Sequence, residues 1–248
     1  MEKLITRRQA LALGTAGLMV PAFTKASTTS AWAANAPVLV ELFTSQGCSS
    51  CPPADELAGE LMKDANTYVV SLNVDYWDYL GWRDTLAKPE YTQRQYAYAA
   101  ARGDGRVYTP QMIVNGLDHA VGSSRNAVAD KIAEARQTPL QVPLKLSMTP
   151  KEIKVEIPAT KLDEDATLWL MAIEPRVEQK IIRGENTGKA ITYHNVVRKL
   201  VPATMWKGEA YHGTWMRNAV MPHNCKSCIA VLQQNNVGPV LGLAKYQR

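Results

Sequence analysis

Short apolar runs and helical stripes alternate along the first half of this chain. Val38-Leu-Val-Glu-Leu-Phe43 is a compact, mostly apolar run and predicts a buried strand. Pro53 to Met62 places Ala54, Leu57, Ala58, Leu61 and Met62 on one face at helical spacing. Tyr68-Val-Val-Ser-Leu-Asn-Val74 predicts a second buried strand. Pro89 opens a helix that runs to about Arg102, where Gly103-Asp-Gly105 stops it. Gln111-Met-Ile-Val-Asn115 and His119-Ala-Val121 read as short strands joined at Asn115-Gly116, a hairpin signal. Ser123 or Ser124 caps a last helix with Val128, Ile132 and Ala135 on one side.

The texture changes near Thr138-Pro139. Leu144, Leu146 and Met148 alternate with polar residues, as do Ile153, Val155 and Ile157, with Thr149-Pro-Lys151 between them as a turn. Thr167–Ile173, Val177–Ile182, Ile191–Leu200, Cys228–Gln233 and Val240–Tyr246 are further strand candidates. The expected architecture is an α/β thioredoxin-like domain over residues 34–139, from the order strand, helix, strand, helix, strand, strand, helix. An all-β sandwich-like, β-rich C-terminal domain is expected over residues 140–248.

Residues 1–33 predict an export signal peptide. Thr6-Arg-Arg-Gln-Ala-Leu11 is a twin-arginine region, Ala10 to Phe23 is modestly apolar, and Ala31-Trp-Ala33 fits a cleavage site. That stretch is too short for a membrane span, which needs about 20 apolar residues. The expected location is periplasmic or secreted, not membrane-embedded. Of the formal net charge of +5, Lys3, Arg7, Arg8, Lys25 and Glu2 carry +3, so the mature chain is near +2. No basic stripe remains to attract nucleic acid.

All four cysteines fall in C-x-x-C pairs, Cys48/Cys51 and Cys225/Cys228. Export leads to a compartment where disulfide chemistry is permitted. Cys48-Ser-Ser-Cys51 follows a buried strand and opens a helix, whose free N–H groups and macrodipole favour the thiolate. Cys48 is expected to be the exposed attacking thiolate and Cys51 to resolve the mixed disulfide. Thr109-Pro110, about sixty residues on, starts the third strand. In a thioredoxin-like fold a cis-proline there faces the dithiol and leaves the preceding backbone free to pair with an extended substrate. Ser49 and Ser50 bring no positive charge, which implies a middling to reducing potential. Glu41 lies near where thioredoxins carry a buried acid that accepts the resolving thiol's proton, and that likeness implies the role; the other reading is a strand-end charge facing solvent.

Glu41-Leu-Phe-Thr-Ser-Gln-Gly-Cys-Ser-Ser-Cys-Pro-Pro-Ala-Asp55 resembles the signature of a bacterial family of exported thioredoxin-like proteins of unknown function. Asn73 to Asp84, Tyr91 to Gln95, Tyr108 to Gly116 and Tyr193 to Arg198 resemble it too, so the likeness covers nearly the whole mature chain. It implies a thioredoxin-like domain with a β-rich extension and no particular substrate.

Tyr76, Trp77, Tyr79, Leu80 and Trp82 crowd the segment after the second strand. They form either an aromatic wall beside the dithiol or a loop that covers the core. Cys225-Lys-Ser-Cys228 precedes a strand, so no helix dipole acts on it. A local disulfide leads, then a second redox pair, then a metal site with His223. His119, His194 and His212 stand alone. The chain has no P-loop, dinucleotide fingerprint, G-x-S-x-G elbow or H-E-x-x-H, and nothing calls for a cofactor. The expected function is exported thiol–disulfide oxidoreductase, acting on protein or small-molecule disulfides and recycled by a membrane or periplasmic electron donor. A copper- or zinc-handling thiol protein and a binding module with structural disulfides are the alternatives.

Overall fold

The computed structural model describes residues 36–247; the expected signal peptide lies outside them. The elements run β1 (Val38–Thr44), α1 (Pro52–Leu61), β2 (Thr67–Asn73), α2 (Pro89–Arg102), β3 (Gln111–Val114), β4 (Asp118–Val121) and α3 (Arg125–Arg136). These match the predicted elements of the first half. A short 3₁₀ turn, Asp78–Leu80, interrupts the aromatic segment. Then come β5 (Lys145–Met148), β6 (Glu152–Ile157), β7 (Ala166–Lys180), β8 (Ala190–Trp206), β9 (Tyr211–Met216), α4 (Arg217–Val220), β10 (Ser227–Gln234) and β11 (Val240–Gln247).

The fold is mixed α/β. One eight-stranded sheet has the order β11-β10-β7-β8-β2-β1-β3-β4, and a three-stranded sheet has the order β5-β6-β9. β1 is parallel to β2 and antiparallel to β3. The Asn115-Gly116 hairpin forms as predicted, with both residues at positive φ (47° and 69°). Asn115 adds a long-range contact: its Oδ1 accepts the Leu39 N–H at 2.8 Å.

The expected separate sandwich is corrected. β7, β8, β10 and β11 extend the sheet that β1 to β4 begin, because β8 joins β2 in parallel at Ser71 and Val196. The two runs expected at Thr167–Ile173 and Val177–Ile182 are one continuous strand. β9 was not predicted; its Tyr-His-Gly-Thr-Trp-Met sequence lacks a clean apolar alternation.

The large sheet buries both faces. Val38, Val40 and Leu42 pack with Ala54, Leu57 and Ala58 of α1 and Val128 and Ile132 of α3. Leu39 and Phe43 turn the other way, onto Tyr91 and Tyr98 of α2 and onto Met171, Ile229 and Val231 of the C-terminal half. One apolar core therefore spans both halves. The three-stranded sheet lies on a further cluster, with Ile153, Val155 and Ile157 against Leu168, Leu170, Ala230 and Leu232. No helix among the described residues is long and apolar enough to cross a membrane.

Candidate active site

β1 ends at Thr44, and the chain then makes two consecutive tight turns. The Cys48 N–H donates to the Ser45 carbonyl (3.2 Å), and the Cys51 N–H to the Cys48 carbonyl (3.2 Å). Pro52 starts α1, where a proline loses no hydrogen bond. Cys51 is the N-cap residue, already near helical backbone angles (φ −78°, ψ −36°). Cys48 and Cys51 form a disulfide with their Cα atoms 5.4 Å apart.

The Thr109–Pro110 peptide bond is cis. A single Cβ placed on Gly122 would lie 3.1 Å from Ala54 Cβ and 3.2 Å from Pro110 Cβ, so Pro110 sits against the first turn of α1. Trp77 completes the link: its indole N–H donates to Thr109 Oγ1 at 2.7 Å, and its Cβ lies 3.1 Å from where a side chain at Gly47 would begin. Any residue larger than glycine at position 47 would press on the Cβ and carbonyl of Trp77. The structure thus gathers Cys48, Cys51, Thr109 and Pro110 at one end of the sheet.

The aromatic segment packs Tyr76 and Trp77 on the core and serves this turn as well. The Trp82 indole N–H donates to Gln46 Oε1 at 2.8 Å, and Asp84 Oδ2 accepts the Gln46 N–H at 2.7 Å. Tyr79, by contrast, stands 77% exposed. From the other side, the loop between β7 and β8 delivers Asn186. Its Nδ2 donates to the carbonyls of Gln46 (3.0 Å) and Cys48 (2.8 Å), and Lys189 Nζ donates to its Oδ1 (2.9 Å). Asn186 is fully buried.

This clamp corrects the expectation of an exposed Cys48. Cys48 is 2% exposed and Cys51 fully buried, and only Ser49 and Ser50 face solvent. Ser50 Oγ lies 3.4 Å from Cys48 Sγ. Replacing Asn186 with alanine strands two buried carbonyls and is expected to cost about 1–3 kcal/mol. Thermal unfolding of the oxidised protein measures that loss. Faster alkylation of reduced Cys48 shows that the cover has loosened.

Glu41 resolves into neither expected role. It is fully buried, yet it faces α2 on the side of the sheet opposite α1. Arg94 holds it with Nε to Oε1 at 2.7 Å and Nη2 to Oε2 at 3.2 Å, and the Tyr98 hydroxyl donates to it as well. Its lone pairs are committed to that ion pair, away from Cys51.

Cys225 and Cys228 are free thiols, which corrects the local disulfide. Both are buried in the cluster under the three-stranded sheet. Burial pushes the Cys225 thiol up to about 11, with the Glu174 charge adding to it, and pushes Cys228 up to about 12. Buried apolar surroundings keep such thiols protonated and unreactive. Among the described residues no group of three His, Cys, Asp or Glu side chains is placed to hold a metal, His223 and this pair included.

Sequence reasoning missed Gln46, Asp84 and Asn186. Gln46 and Asp84 lie within the Glu41–Asp55 and Asn73–Asp84 segments that carry the resemblance, but nothing local assigned them a role. Asn186 lies 138 residues from Cys48, with no pattern of its own.

The family model for a protein of unknown function, DUF1223, matches residues 39–233. The chain belongs to this family. The match runs from β1 to the end of the dithiol-bearing core and on through most of β10, so both halves of the fold are part of it. The crystal structure of an Agrobacterium tumefaciens protein is similar at 31% identity, covering 85% of this chain and 93% of that one, with a TM-score of 0.72. HBP35 of Porphyromonas gingivalis shares the fold at 13% identity and a TM-score of 0.58, covering 86% of this chain and 75% of that one. No curated protein matches.

Proposed function

We propose that this protein is an exported thiol–disulfide oxidoreductase with a thioredoxin-like core, and that Cys48/Cys51 is its redox dithiol. The observation that carries the reading is the disulfide at the N-terminus of α1, directly after a buried parallel strand, with the cis Thr109–Pro110 bond held beside it by Trp77. Export is supported by the twin-arginine sequence at Thr6 to Leu11.

In the reducing direction the Cys48 thiolate attacks one sulfur of a partner disulfide, and the partner's other sulfur leaves as a thiolate. Cys51 then attacks Cys48 Sγ and expels the partner's second sulfur. Two electrons pass to the partner, which ends as two thiols, and the Cys48–Cys51 bond re-forms. Pro52 and Pro53 bring no N–H and the Ala54 and Asp55 N–H groups donate to the Cys51 carbonyl, so what favours the thiolate here is the positive end of the α1 macrodipole. A thiol or dithiol donor of the exporting compartment would then reduce the bond again.

The near-complete cover on Cys48 favours a second reading, a structural disulfide. Equilibration in glutathione buffers, with the thiols counted by alkylation and mass, separates the two. A redox dithiol is expected to titrate between roughly −270 and −120 mV, the span of known thioredoxin-type oxidoreductases. A value below about −300 mV marks a structural bond and overturns the proposal.

A further inference from the structure

Once Glu41 is committed to Arg94, the resolving thiol lacks the proton acceptor expected for it. A different carboxyl occupies the place next to it. Asp55 follows Cys51 by four residues, and its N–H donates to the Cys51 carbonyl at 3.2 Å. Cys51 already has helical backbone angles, so the two side chains share one face of α1, with Cβ atoms about 5–6 Å apart. Asp55 is 1% exposed, and neither of its carboxyl oxygens has a hydrogen-bond partner among the described residues.

The surroundings explain why it binds a proton more readily than an ordinary carboxyl. Thr44 and Asn73 stand side by side at the ends of β1 and β2, under α1. Thr44 Oγ1, Asn73 Oδ1 and the Tyr193 hydroxyl of β8 are buried and unpartnered as well. The neighbouring carboxyl, Asp84, is the opposite case. Its Oδ2 accepts from Gln46 N and Asn73 Nδ2 (2.7 and 2.9 Å), and its Oδ1 from Leu86 N and Ala87 N (2.8 and 3.1 Å). Four donors favour the charged form of Asp84; Asp55, with none, holds a proton more tightly than an ordinary carboxyl and can both take one up and release it. Two acids in contrasting settings divide charge and proton between them.

We infer that Asp55 exchanges the proton of Cys51 during thiol–disulfide transfer, an inference that rests on the redox reading of the dithiol. In the reducing direction the Cys51 thiol gives its proton to the Asp55 carboxylate as its sulfur bonds to Cys48 Sγ. The expelled partner thiolate takes that proton on leaving. In the oxidising direction Asp55 returns it to Cys51. Burial raises Asp55 well above its ordinary 3.8, the Thr44 hydroxyl opposes this, and the charges of Asp84 and Glu56 add to it. Tyr193, the titratable group facing it from β8, stays protonated because burial raises it too. A raised carboxyl is a better base for a thiol than an ordinary one.

The test is a single turnover of the reduced mature chain with 5,5′-dithiobis(2-nitrobenzoate), whose two thiolates are coloured. The first release reports attack by Cys48, the second resolution by Cys51. Asp55→Asn is expected to leave the first release unchanged and to slow the second about 10²-fold, within the range of lost acid–base catalysis. Its second phase should rise with pH as the thiol's own ionisation takes over from Asp55. A second phase with wild-type rate and pH profile in D55N overturns the assignment. No release from the wild-type chain overturns the redox reading itself, and the assignment with it. An oxidised-minus-reduced infrared difference spectrum of the wild type gives an answer that does not depend on the variant's folding. A carboxyl or carboxylate band that shifts with redox state supports the inference, and its absence overturns it. Stability gives a further sign. An acid raised on folding contributes stability at low pH that is lost as pH climbs from its unfolded value toward its folded one. Oxidised wild type is therefore expected to lose stability above about pH 4 relative to D55N.

Discussion

Replacing Arg94 with alanine is expected to destabilise the protein by about 3–5 kcal/mol, the cost of leaving one member of a buried ion pair alone. Arg94 and Glu41 have side chains 3% and 0% exposed. Beyond the carboxylate, Arg94 Nη2 donates to Gln233 Oε1 at 2.6 Å and to the Tyr98 hydroxyl at 2.9 Å. Gln233 Nε2 in turn donates to Tyr98 at 2.9 Å. The guanidinium also lies 5.0 Å from the Tyr98 ring centre and 5.1 Å from that of Trp169. One side chain therefore ties β1 and α2 of the first half to β7 and β10 of the second. Denaturant unfolding of R94A measures the loss. Arg94→Met with Glu41→Leu is expected to recover much of it, since an apolar replacement of a buried pair is often neutral or better. If R94A unfolds within 1 kcal/mol of wild type, the Arg94–Glu41 pair does not hold the two halves together, and the place of Glu41 in the fold needs another account.

Replacing Cys51 with alanine is expected to stop the reaction after the first bond change. Cys48 still attacks a disulfide, but nothing expels the partner, so a mixed disulfide through Cys48 accumulates. With the coloured disulfide, the variant should release one thiolate per chain where wild type releases two. Cys48→Ala should release none above background, because Cys51 is fully buried. Cys225 and Cys228 are held protonated by burial and should contribute nothing. Mass measurement of the intact adduct, with its site located by peptide mapping, checks the assignment. Two releases from C51A would mean that another thiol resolves the intermediate.

Much of the first half was legible because its signals are local. Proline at the start of α1 and α2, glycine after α2 and Asn-Gly between β3 and β4 act over a few residues, and the structure places all four where they were expected. The face of Glu41 was less legible. Alternation groups it with Leu39 and Phe43, but only packing decides that α1 covers Val40 and Leu42 and that Arg94 meets the other face. Asp55 carried a readable clue, its four-residue spacing from Cys51, while its lack of partners depends on Thr44, Asn73 and Tyr193 arriving from three strands.

The sequence by itself determined the strand–dithiol–helix unit, the proline facing it and membership in one family, because turn chemistry and helix starts are set by neighbouring residues. Only the tertiary structure decided that the C-terminal strands continue the first sheet and that Asn186 closes over Cys48. It alone showed that Cys225 and Cys228 are buried free thiols. Those outcomes come from contacts between residues far apart in the chain, whose energies depend on shared burial that no local pattern records.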